Sequence, residues 1–272
     1  MTNISPSLID VDPDQWRPGH PFGGFIETEE DRSFGSAFPD ALLIPRREWK
    51  DRIRQRKEYG VSLLNYAMPK NDQTPESSCV YNATEAAWRA IWIKCGYPEL
   101  HLSPMSGYIR VTRRRHSGSY MWEAGEQLRD YGLLPENTTE NKRLFHHTFH
   151  QNTPFVQRER LPDGWEETAQ HFRADPDDWM RIDSSEQFAS AVLNDFPVVY
   201  GRRGHSICAM DLVWSRGKPL IEYLDSYGTK GGRSERGTLY DSESRWATGG
   251  AWALRAVRLP DDPDRPAGDD GK

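Results

Sequence analysis

Three cysteines in 272 residues are too few, and odd in number, to frame a disulfide-built fold. Cys79, Cys95 and Cys208 also contain no Cys-x-x-Cys pair of zinc-site spacing. Each thiol is therefore expected to serve as packing or as chemistry in a reducing compartment. Positive charge is in deficit as well. Against 41 Asp and Glu stand 35 Lys and Arg, a net charge of −6, which excludes a nucleic-acid binder that relies on a strong basic field. No apolar run approaches the roughly 20 residues of a membrane-spanning helix, so neither nucleic acid nor membrane is expected as a partner. Met1-Thr2-Asn3-Ile4-Ser5-Pro6 has neither the basic nor the apolar segment of a secretory signal, and the expected location is cytoplasmic. Aromatics, in contrast, are plentiful. Ten Trp, eleven Tyr and ten Phe exclude a disordered chain, and the length suffices for a sizeable core.

Residues 1–42 are rich in Pro, Gly and acids and read as an extended N-terminal arm. A charged helix is expected over Arg46–Tyr59, closed by Gly60. The spacing of Ala83, Ala86, Ala87, Ala90 and Ile91 predicts a second helix from Cys79 to Cys95, stopped by Gly96. Val80, Tyr81, Trp88, Trp92 and Ile93 make that helix apolar on most sides, the mark of a buried element. Further helices are expected over Met121–Tyr131 and over Ser184–Leu193, the latter capped by Ser184. Loops are expected to dominate from Pro135 to Pro176. Strands follow at 197–200, 206–214, 220–224 and 251–258, and 259–272 reads as an acidic disordered tail. Helices first and strands second argue for an α+β domain over 43–258, with a helical half at about 60–160 and a strand-rich half at about 161–258.

Cys79 falls on the first turn of the buried helix, where unpaired amides favour thiolate over thiol. Such a nucleophile needs an imidazole. His205, in Gly204-His205-Ser206, enters an apolar strand and is placed to point into a cleft between the halves. Asp225 ends the next strand, where a carboxylate can accept from the far nitrogen of the imidazole and fix its tautomer. Gln73, six residues before Cys79 on a loop, carries an amide able to donate to a developing oxyanion. Taken singly, each has a bland reading: a buried small residue, a structural histidine, a turn aspartate. An ordered Gln…Cys…His…Asp series in these contexts is much harder to obtain by chance.

In these motifs the chain resembles the papain-like cysteine peptidases. Gln73-Thr74-Pro75-Glu76-Ser77-Ser78-Cys79 matches the Gln-x5-Cys signature that opens the central helix of that family. Ser117-Gly118-Ser119-Tyr120-Met121-Trp122 is similar to its glycine-aromatic segment. Gly204-His205 is similar to its Gly-His motif, and Asp225-Ser226-Tyr227-Gly228 to its Asn-Ser-Trp-Gly motif with two changes. The resemblance spans roughly residues 60 to 258. It implies a helical left half whose buried helix starts at the nucleophile, a β-barrel-like right half and an active-site cleft between them. Departures are specific: Asp225 replaces the Asn, Tyr227 and Gly231 replace Trp, Ser77-Ser78-Cys79-Val80 replaces Gly-Ser-Cys-Trp, and Glu76 stands where a half-cystine would be. This stripped-down form looks like the intracellular and phage-encoded branches of the family.

The resemblance implies a polypeptide substrate, no metal and no other cofactor. A Cys79 thiolate and His205 imidazolium would form the resting pair, with Asp225 stabilising the imidazolium. Gln73 and the Cys79 backbone N–H would hold the oxyanion, while Gly118, Ser119, Gly204 and Tyr227 would line the substrate strand. A phage origin would place the protein in a virion or similar assembly. Two other readings stay open: a catalytically inert papain-like structural or interaction protein, and a Cys-His-Asp cell-wall amidase. His146-His147-Thr148-Phe149-His150 offers an i,i+4 histidine pair, but no acidic or cysteine ligand follows at zinc spacing.

Overall fold

The computed structural model describes residues 25–26, 34–67, 71, 73, 77–112, 119–150, 160–174, 178–202, 205–226, 239–243, 246 and 250–257. Its helices are α1 (Arg46–Glu58), α2 (Leu64–Ala67), α3 (Cys79–Lys94), α4 (Pro104–Thr112), α5 (Met121–Asp130), α6 (Asn141–Leu144), α7 (Trp165–Ala169) and α8 (Ser185–Leu193). Its strands are β1 (Phe25–Ile26), β2 (Ser36–Ala37), β3 (Ser119–Tyr120), β4 (Trp179–Arg181), β5 (Val198–Arg202), β6 (His205–Ser215), β7 (Lys218–Leu224), β8 (Leu239–Ser242) and β9 (Ala251–Leu254). Seven of the strands form one sheet in the order β2-β4-β9-β5-β6-β7-β8, and β1 pairs separately with β3.

The helix ends follow the local signals. Gly60 and Gly96, at φ +66° and +88°, end α1 and α3 in the left-handed conformation that costs glycine least. The Ser184 hydroxyl accepts from the backbone N–H of Gln187 at 3.1 Å and caps α8. The stretch read as loop after Pro135 contains the short helices α6 and α7, too brief to leave a periodic pattern.

Successive sheet residues point to opposite faces, and here the faces meet two different cores. Trp179, Val199, Cys208, Met210, Leu224, Trp252 and Leu254 pack into the core around α3. Met180, Val198, Tyr200, Ile207, Ala209, Ile221, Tyr223 and Ala253 pack into a second core with α8 and with Trp49 and Ile53 of α1. A sheet covered on both faces explains strands that are apolar nearly throughout. Among the described residues the sheet does not close on itself: β2 and β8 are its two edges.

From Phe34 onward the segment read as an arm is docked on the body. Ser36–Ala37 extends the sheet beside β4, Phe38 is buried, and the Trp252 indole N–H donates to the Phe34 carbonyl at 3.2 Å. Further upstream, β1 runs parallel to β3, with Phe25 opposite Ser119 and Ile26 opposite Tyr120.

Candidate active site

Helix α3 positions Cys79. Fourteen of its sixteen residues are buried, and its alanines let the sheet approach closely. Ser78 precedes the helix, and the Asn82 side-chain amide donates to both the carbonyl and the hydroxyl of Ser78 at 3.0 Å. The thiol of Cys79 is thus set on a first turn whose free amides favour a thiolate.

Strand β6 starts at His205 against that turn. The backbone N–H of Ser206, the next residue, lies 3.4 Å from Cys79 Sγ and donates to it. Strand β7 runs back antiparallel and pairs Leu224 with Cys208, so Asp225 returns to the start of β6. Gln73 joins from the opposite side. Its backbone N–H donates to the Ser226 carbonyl at 2.7 Å, and its side-chain Oε1 accepts from the Ser226 hydroxyl. All four residues are buried: Cys79 0%, His205 2%, Gln73 3% and Asp225 8% exposed. A cavity of about 10 Å³, lined by Asn71, Asn82, Ser206, Asp225 and Ser226 among others, has room for about one water molecule.

Of the expected substrate-strand residues, Ser119 is buried in β3, where β1 pairs with it. Gly118, Gly204 and Tyr227 lie outside the described residues. His146 and His147 meet edge to face with ring centroids 4.3 Å apart, and Asn137 donates to His150 Nδ1 at 3.3 Å. No group of three or more His, Cys, Asp or Glu able to hold a metal occurs among the described residues. None of the described helices is long and apolar enough to cross a membrane.

A helix opening at a buried cysteine, packed on an antiparallel sheet whose first long strand starts at a histidine, is a recognisable architecture. The chain has the papain-like fold. Xylellain, a cysteine protease from Xylella fastidiosa, superposes with a TM-score of 0.60 at 15% identity, over 86% of this chain and 96% of its own. A structure from work on the mite allergens Blo t 1 and Der p 1 gives 0.59 at 15% identity, covering 86% and 80%. Digestive procathepsin L 3 from the larval midgut of Tenebrio molitor gives 0.55 at 13% identity, covering 72% and 68%. No protein-family model matches the chain, and no curated protein sequence does. At these identities the likeness concerns the fold.

Sequence reasoning passed over Asn71, Glu85, Arg89 and Ser226, all buried around the site. A signal was present for two of them. Glu85 and Arg89 are an i,i+4 charged pair inside a helix otherwise apolar on most sides, and such charges call for internal partners.

Proposed function

We propose that the protein is a cysteine peptidase acting through Cys79, His205, Asp225 and Gln73. The observation that carries this reading is the meeting of two chain segments: Cys79 Sγ against the residue after His205, and Gln73 locked to the residue after Asp225. The papain-like fold supports it as a context for acyl transfer, with function argued from the site.

In this reading the Cys79 thiolate attacks the peptide carbonyl carbon, forming a C–S bond and an oxyanion. The Gln73 amide and the Cys79 N–H stabilise that charge. Collapse breaks the C–N bond as the His205 imidazolium protonates the leaving amine. His205 then takes a proton from water, whose attack on the thioester returns the thiolate and releases the acid. Asp225 holds the imidazole in the required tautomer, and Ser119, Gly118, Gly204 and Tyr227 contact the substrate strand. None of the three cysteines is in a disulfide, which fits the disulfide-free branch of such enzymes, and with it a cytoplasmic or virion-associated peptidase that acts on polypeptides.

The near-complete burial of all four residues favours a second reading, an inert scaffold. Alkylation of Cys79 as a function of pH, in wild type and His205→Ala, separates the two. The peptidase reading expects wild type to react well below pH 7 and the variant only near the value of about 8.5 of a free thiol. Identical titrations near that value would support the scaffold.

A further inference from the structure

Glu85 and Arg89 are 0% exposed, and Arg89 Nη2 lies 3.6 Å from Glu85 Oε2. A buried ion pair of this kind is weak support for stability, because apolar residues of similar volume often serve as well. The reason for the pair is found in what it holds. Arg89 Nη2 donates to the carbonyl of Ala67, the last residue of α2, at 2.8 Å. Glu85 Oε2 accepts from the side-chain amide of Asn71 at 2.7 Å, and its other oxygen accepts from the Leu102 backbone N–H at 3.3 Å. Arg89 also contacts the His101 ring through Nη1.

Ala67 and Asn71 lie at either end of the chain segment that leads to Gln73. Asn71 is 4% exposed and lines the same small cavity as Asp225, Ser206 and Ser226. Two residues on, Gln73 is fixed at its far side by Ser226. The anchoring carboxylate sits six residues after Cys79 on the same rigid helix. Nucleophile and oxyanion donor are thereby referenced to one element, although they come from different parts of the chain.

We propose that Asn71 and Glu85 are positioning residues: the charge-assisted bond between them fixes the Gln73 loop relative to α3, and so sets the Gln73 amide where the oxyanion forms. The proposal rests on the peptidase reading above. A bond from an amide to a buried carboxylate is short and directional, and small displacements of a positioning group cost rate rather than affinity.

Two measurements on the full chain test it. Amide exchange is read first. In Asn71→Ala the Gln73 amide exchanges faster while exchange along α3 stays close to wild type, and the melting temperature falls modestly because a buried carboxylate loses one donor. Peptide turnover is read second. Asn71→Ala lowers kcat roughly 10- to 100-fold with KM little changed, and adds nothing to the loss already caused by Gln73→Ala. Asn71→Asp, which sets a second carboxylate against Glu85, is slower than Asn71→Ala. Unchanged exchange at Gln73, or losses from Asn71→Ala and Gln73→Ala that multiply, would overturn the proposal and leave the peptidase reading intact. A Cys79 that titrates as a free thiol, with no peptide turnover, would overturn the reading and the proposal together.

Discussion

The backbone N–H of Ser206 donates to Cys79 Sγ across 3.4 Å, joining residues 127 apart in the chain. A donor aimed at sulfur favours the thiolate, and it fixes the start of β6 against the start of α3. The contact is made by backbone rather than by a side chain. The approach of β6 to Cys79 therefore depends on sheet register more than on the identity of residue 206.

Cys208 provides an internal control for this thiol. It lies three residues beyond His205, fully buried, and burial pushes its pKa well above the ordinary range, with Glu85 adding to the rise and Arg89 opposing it. Labelling with iodoacetamide at neutral pH, read peptide by peptide in a mass spectrometer, is expected to modify Cys79 and exposed Cys95 and to spare Cys208. Cys208 labelled ahead of Cys79 would contradict the assignment of the nucleophile.

The pairing of β1 with β3 gives the N-terminal segment a consequence for activity. Phe25 and Ile26 pair with Ser119 and Tyr120, and the peptidase reading proposes Ser119 as a contact of the substrate strand. Deletion of residues 1–33 is expected to raise peptide turnover severalfold without lowering the melting temperature. Deletion through residue 42 also removes β2 and the buried Phe38 and is expected to lower the melting temperature, the phenyl ring alone costing about 3 kcal/mol of stability. Activity unchanged by the shorter deletion would show that β1 does not compete with substrate.

Asp211, on β6 past a bulge in its pairing with β7, carries a pH-dependent contribution. Burial raises its pKa, and Arg56, Ser62 and the Leu212 N–H offset this only in part. The folded chain therefore keeps this proton to higher pH than the unfolded chain. Its contribution to stability falls as pH rises from about 4 through the folded value. Asp211→Asn is expected to melt above wild type at pH 7 and alongside it near pH 3. A variant less stable at pH 7 would mean that the attraction of Arg56, 3.6 Å away, outweighs the desolvation.

Gly132 stands after α5 at φ +76°, where an added Cβ would meet the Ala169 carbonyl oxygen at 1.9 Å. Both the conformation and the space exclude a side chain. Gly132→Ala is expected to cost about 2–4 kcal/mol, read by urea unfolding. Gly60→Ala, with the same sign of φ and open space around it, is expected to cost about 1 kcal/mol. Equal losses at the two sites would show that backbone strain alone decides.

What the sequence by itself determined is local. Alanine spacing and Gly96 bound α3, Ser184 caps α8, and the order Gln73, Cys79, His205, Asp225 names four chemical types in contexts that suit them. These signals act within a few residues, which is why periodicity and capping report them. The tertiary structure alone decided the rest. Edge strand β2, two residues long and paired with β4 more than a hundred residues downstream, has no local signature, since its ladder partners are non-local. The opening of the sheet followed from pairings rather than from composition. Glu85 and Arg89 stand out in the sequence as charges inside an apolar helix, but only packing decided their partners. Folding removed water from them and from Asn71, and a buried charge must be paired, here with the Asn71 amide and the Ala67 carbonyl.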